Sequence, residues 1–100
     1  MSSDEFTEAV RARIMGEAML AFVTARLDEE GARANVMGLR RIAGTRLILA
    51  RYEDTLARQE DDDYPAGVAQ EQAREYEDFV LPGLAVAWND HPDYDQEWTP

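Results

Sequence analysis

The sequence predicts an all-α protein, an antiparallel bundle of three main helices closed by an ordered C-terminal tail. Three observations lead there. Apolar residues recur at the three- and four-residue spacing of a helix face in three separate stretches. Gly31 and the run Glu60-Asp61-Asp62-Asp63-Tyr64-Pro65 fall between those stretches as breaks. A hydrophobic fraction of 45% with only four prolines and six glycines excludes a disordered or collagen-like chain. The expected helices run over about 4–30, 34–59 and 65–88, with residues 89–100 as the tail, in a single domain.

The first helix opens on Ser2 or Ser3 as a cap with Asp4 and Glu5 in its first turn, and Ser2-x-x-Glu5 fits a capping box. Phe6, Val10, Ile14, Ala18, Ala21 and Ala25 form its expected buried stripe. From Ile14 to Leu27, Met15, Met19, Leu20, Phe22, Val23 and Leu27 widen that stripe over most of the circumference. Such a helix needs cover on more than one side, from two other helices or from a second protomer.

The second helix is the element the chain is organised around. It starts between Ala32 and Val36, with Asn35 as its cap. Ile42, Thr45, Leu49, Tyr52 and Leu56 share one face at about 100° per residue. Arg33, Arg40, Arg51 and Arg58 gather on the other, where they are expected to pair with acids of the flanking helices at about 0–1 kcal/mol each. Gly38 and Gly44 each cost about 1 kcal/mol against alanine in a helix and mark close packing or a weak point.

Pro65 is placed to open the third helix. Ala69, Ala73, Tyr76, Val80 and Leu84 give its expected stripe, and Glu71, Glu75, Glu77 and Asp78 its solvated side. Pro82-Gly83 interrupts the apolar run 79–88 and predicts a kink or a break. In the tail, His91 before Pro92 is pushed towards extended backbone, Pro92 is placed to open a short helical turn, and Tyr94 and Trp98 stand four apart, able to dock onto the bundle.

Net charge is −11, distributed as −4 over residues 1–30, +4 over 31–58 and −11 over 59–100. A field of that sign disfavours nucleic acid and anionic lipid and favours basic protein partners. All ten basic residues are arginine, as a GC-rich genome would supply. There is no cysteine, which removes disulfides, thiolate metal sites and cysteine nucleophiles and suits a reducing compartment. The start Met-Ser-Ser-Asp-Glu lacks the pattern of a signal peptide, and no window approaches the length of a transmembrane span, so a cytoplasmic protein is expected.

The ending Ala87-Trp-Asn-Asp-His-Pro-Asp-Tyr-Asp-Gln-Glu-Trp-Thr-Pro100 resembles the "ADHPDYxxEWxP" ending of a family of small uncharacterised proteins from actinobacteria and their phages. Phe22-Val-Thr-Ala-Arg-Leu-Asp-Glu-Glu30 is similar to that family's "FLxARLDEDE", and Arg46-Leu-Ile-Leu-Ala-Arg-Tyr-Glu53 falls at its charged helix. The resemblance implies a helical cytoplasmic protein and no established activity. It marks Asp90, His91, Pro92, Asp93, Tyr94, Glu97 and Trp98 as recognisable family positions. Gly38, Gly44 and Pro82-Gly83 depart from the pattern.

No phosphate loop, dinucleotide fingerprint or HExxH occurs, and His91, the single histidine, has no serine beyond Ser2 and Ser3 to activate. An enzyme is not expected, and neither is a cofactor or a metal, since the tail acids miss the EF-hand glycine and glutamate positions. The expected function is a non-enzymatic protein-interaction module. Asp90, His91, Asp93, Tyr94, Glu97 and Trp98 are candidate contact residues, because aromatics among acids suit a hot spot. Two alternatives stand beside it. One is a homodimer burying Met15, Met19, Phe22 and Val23 against Leu47 and Ile48. The other is an acidic mimic of nucleic acid that occupies a basic host protein.

Overall fold

The structure is a computed structural model that describes residues 3–100, so the Ser2 cap lies outside the described residues. It is all-helical. Helix α1 spans Ser3–Gly31 and α2 Val36–Gln59. A third helical stretch is made of α3 (Ala66–Glu75), a π segment (Tyr76–Val80), α4 (Leu81–Ala85) and a 3-10 turn (Val86–Trp88). A last 3-10 turn, Gln96–Trp98, lies in the tail.

The chain runs up, down and up. Near the start of α1, Arg13 Nη2 donates to Gln59 Oε1 at the end of α2, while Asp28 near the end of α1 pairs with Arg46 early in α2 at 2.6 Å. The third stretch lies parallel to α1: Glu8 faces Arg74, Arg13 faces Glu77, and Glu30 accepts from the Trp88 indole at 2.9 Å. Connections are short and locally satisfied. Gly31 ends α1 without entering the left-handed region, Asn35 accepts from Gly38 N at 2.9 Å as the cap of α2, and Asp61 closes the acidic turn through the backbone N–H of Asp63. Pro65 sits just before α3, where its missing N–H costs nothing.

Ile42, Leu49 and Tyr52 are buried and Leu56 half-buried, so α2 turns its expected face inward. Two stripes differ from expectation. On α1 the buried face is Gly16, Met19, Phe22, Val23, Arg26 and Leu27, while Phe6, Val10, Ile14, Ala18 and Ala21 are exposed. The wide apolar band of this helix admits two choices of face, and the helix turns its bulkiest middle section inward.

On the third stretch the buried positions are Ala69, Ala73, Glu77, Leu81, Pro82 and Ala85, where Ala69, Ala73, Tyr76, Val80 and Leu84 were expected. From Leu81 on, the π segment is the reason. Leu81 N–H reaches back five residues to Tyr76 O, so the turn holds one residue more than an α-helical turn and every later core position moves on by one. Glu77, expected in solvent, stands at the start of this turn, four residues after Ala73 as Ala73 is after Ala69, and is buried with them. The same wide turn accommodates Pro82, and the stretch stays helical through Pro82-Gly83.

The tail completes the core. Phe22 meets Trp88, Tyr94 and Trp98 edge-on, with ring centroids 6.4, 5.9 and 5.3 Å away. Tyr94 and Trp98 are buried. The final helical turn opens at Gln96 with Asp95 as its cap, three residues beyond the turn that follows Pro92.

Candidate functional site

Glu77 is 4% exposed, although nothing in the spacing of acids around it announces a buried carboxylate. Its Oε2 accepts the Tyr52 hydroxyl at 2.7 Å and Arg13 Nε at 2.8 Å. Arg13 continues the network to Gln59 at 2.5 Å. Burial, followed by the hydrogen bond to Glu77 and its charge, holds the Tyr52 phenol protonated well above its ordinary value of 10.0. The three helical stretches therefore meet in one polar network, anchored on α1, α2 and the π segment. Both bonds fall on Oε2, and Oε1 of Glu77 accepts none among the described residues.

Arg13, Gln59 and Glu77 of this network line a groove of about 440 Å³ between α1 and α3. Phe6, Val10 and Ile14 form one wall, one residue per turn, and are 63%, 42% and 62% exposed. Gln70 and Arg74 form the other wall, and Gln59 closes one end. Arg74 reaches Glu8 and Asp78 with Nη2, at 3.7 and 3.3 Å, while its buried Nε finds no partner among the described residues. The groove thus joins an apolar wall to one carboxylate oxygen that accepts no bond among the described residues.

The expected tail residues are divided by the fold. Tyr94 and Trp98 spend their rings on the core, leaving Asp90, Asp93 and Glu97 exposed. His91 is half-buried against Phe22 and Arg26; Arg26 Nη1 stands 2.6 Å from its Nε2, and the Asp93 backbone N–H donates to its Nδ1 at 3.0 Å. Arg26 is itself buried and packed over the Phe22 ring. The tail motif is thus in large part a packing motif.

Arg33 in the turn before α2 and Arg40 and Arg51 on α2 make no ion pair among the described residues, and Arg58 packs over the Tyr64 ring 5.6 Å from its centroid. The expected pairing of that row with acids does not form; Arg11, Arg13, Arg26, Arg46 and Arg74 carry the ion pairs instead. Of the surface expected in a homodimer, Met19, Phe22 and Val23 are interior, while Leu47 and Ile48 remain exposed.

A small all-α protein with an exposed apolar groove and a tail folded into its core is the class these features define. The chain belongs to a family of unknown function (DUF6221), whose model matches residues 36–100, that is α2, the third stretch and the tail. No curated protein and no solved structure matches it. No helix among the described residues is long and apolar enough to cross a membrane.

Proposed function

We propose that the protein is a non-enzymatic protein-interaction module of the cytoplasm. The observation that carries this is the row Phe6, Val10 and Ile14: three large apolar side chains on successive turns, mostly exposed, beside a groove lined also by Arg13, Arg74 and Glu77. Water-facing apolar rows of this kind are what helical interfaces bury. The strongly negative charge favours a basic protein over nucleic acid or an anionic membrane. The ending around Asp90, His91, Pro92, Asp93, Tyr94, Glu97 and Trp98 supports an actinobacterial or phage origin.

The test is a pull-down from an actinobacterial lysate with the tagged chain and with Phe6→Ser/Val10→Ser/Ile14→Ser, at low and moderate salt. One stoichiometric protein held by the wild type and lost with the triple variant supports the reading. An eluate containing only the bait rejects it. A second reading, self-association, draws on Leu47 (70% exposed) together with Val36, Met37 and Leu39 on α2; a monomer in multi-angle light scattering at micromolar concentration counts against it. The mimic reading draws on the twelve acids of residues 59–100 and requires binding that weakens with salt.

A further inference from the structure

We infer that the groove between α1 and α3 receives one amphipathic helix of a partner protein, with its apolar face on Phe6, Val10 and Ile14 and a basic side chain directed to Glu77. This rests on the interaction reading above and specifies the chemistry of the partner.

Three observations select that occupant. The apolar wall has the one-residue-per-turn spacing that an opposing helix matches. The two cations of the lining, Arg13 and Arg74, are already paired, with Glu77 and with Glu8 and Asp78, and the surroundings beyond them are acidic where α1 begins: Asp4 and Glu5 precede Phe6, and the four acids of residues 60–63 follow Gln59 at the same end of the bundle. A helix lying in the groove meets this negative charge where α1 begins, so a basic one is favoured and an acidic one opposed. At the floor, Glu77 keeps Oε1 without a hydrogen bond while Arg13 and Tyr52 both hold Oε2. A guanidinium or ammonium arriving there gains a charge-assisted hydrogen bond to a carboxylate that its neighbours have already fixed in place.

A second copy of the chain is a poorer occupant. Residues 60–63 and the first turn of α1 are both acidic, so bringing two such surfaces together sets like charge against like.

The probe is a fluorescent synthetic helix of about 18 residues, five turns, with leucine and alanine on one face and arginine on the other, compared with a twin carrying glutamate for arginine. Anisotropy with the full chain gives Kd. The arginine peptide is expected to bind and the glutamate twin not to. Val10→Asp/Ile14→Asp is expected to weaken the arginine peptide by about tenfold or more, although the added negative charge alone would strengthen it. Leu47→Asp/Ile48→Asp on α2, which adds the same charge elsewhere, is expected to leave Kd within about twofold. Glu77→Gln is expected to weaken binding about tenfold, with circular dichroism confirming that each variant is folded.

Equal behaviour of the two aspartate double variants would show that only the overall field attracts the peptide and would overturn the inference, as would failure of the arginine peptide to bind. A wild-type dimer that Val10→Asp/Ile14→Asp dissociates would also overturn it, by giving the groove to a second copy. A lysate partner retained by Val10→Asp/Ile14→Asp overturns the groove but leaves the interaction reading in place; no partner for any form overturns that reading itself.

Discussion

Gly16 lies against the phenol of Tyr52: a β-carbon built on Gly16 would stand 2.5 Å from Tyr52 Oη and 2.7 Å from Glu77 Cγ. The close approach of α1 to the buried network therefore requires hydrogen at that position. Gly16→Ala gains about 1 kcal/mol of helix propensity and loses about 1–3 kcal/mol to overpacking, and it displaces the Tyr52–Glu77 bond as well. The expected result is a fall in Tm of about 5–10 °C in a domain of this size. Gly44, in the middle of α2, has nothing within 4 Å of its virtual β-carbon. Gly44→Ala is expected to raise Tm by several degrees, because only the propensity gain remains.

The phenol of Tyr52 gives the chain a defined alkaline response. Its folded value lies above the unfolded value of 10.0 because burial and Glu77 oppose the phenolate. The protonated form is thus the one folding favours, so its stabilisation is complete below pH 10 and declines as pH rises beyond it towards the folded value. In ultraviolet titration, wild type and Tyr52→Phe are expected to give the same phenolate signal through pH 10 and to separate only above it. Urea midpoints of the wild type should fall more steeply than those of Tyr52→Phe in that upper range.

Two ion pairs of similar length are expected to differ in worth. Asp28 and Arg46 meet at 2.6 Å with both side chains largely in water, so Asp28→Asn should cost less than about 1 kcal/mol and less still in high salt. Glu77→Gln keeps the shape of a side chain that is 2% exposed but weakens two charge-assisted bonds. Its expected cost is about 2–3 kcal/mol, with little dependence on salt. Denaturant midpoints at two ionic strengths distinguish the two cases.

Phe22 joins the tail to the bundle, so the tail should loosen with it. Phe22→Ala is expected to cost about 3–5 kcal/mol, a large share of the roughly 5–15 kcal/mol available to a domain. Tryptophan fluorescence should shift to the red as Trp88 and Trp98 lose a common neighbour. Asp90→Asn, an exposed change in the same tail, should leave both readouts unchanged.

Helix type and the breaks between helices were legible in the sequence, because Asn35, the acids of residues 60–63 and Pro65 act through local backbone chemistry that no tertiary contact overrides. The docking of Tyr94 and Trp98 was legible too, since two large aromatics four apart in a polar tail have few other places to go. The face of α1 was not, because its apolar band is wide enough to admit two orientations and the choice is made by what Tyr52 and Glu77 present to Gly16. The groove followed from that choice and stayed hidden with it. Glu77 was hidden for a different reason: after Ala73 a helical face admits either the third or the fourth residue, and composition favoured Tyr76 over a carboxylate; beyond it the π turn changed the count and moved the core to Leu81 and Ala85.

That turn also makes the register of the core a matter of length more than of composition. With one exposed residue removed from the π segment, Asp78 for example, the stretch is expected to wind as plain α-helix with Leu81 and Ala85, each one position earlier, still facing the interior. Glu77, which precedes the deletion, keeps its place on α3's face. A one-codon deletion is therefore a change that the core of this stretch is built to absorb, whereas a one-codon insertion in the same turn would set every later side chain off its face.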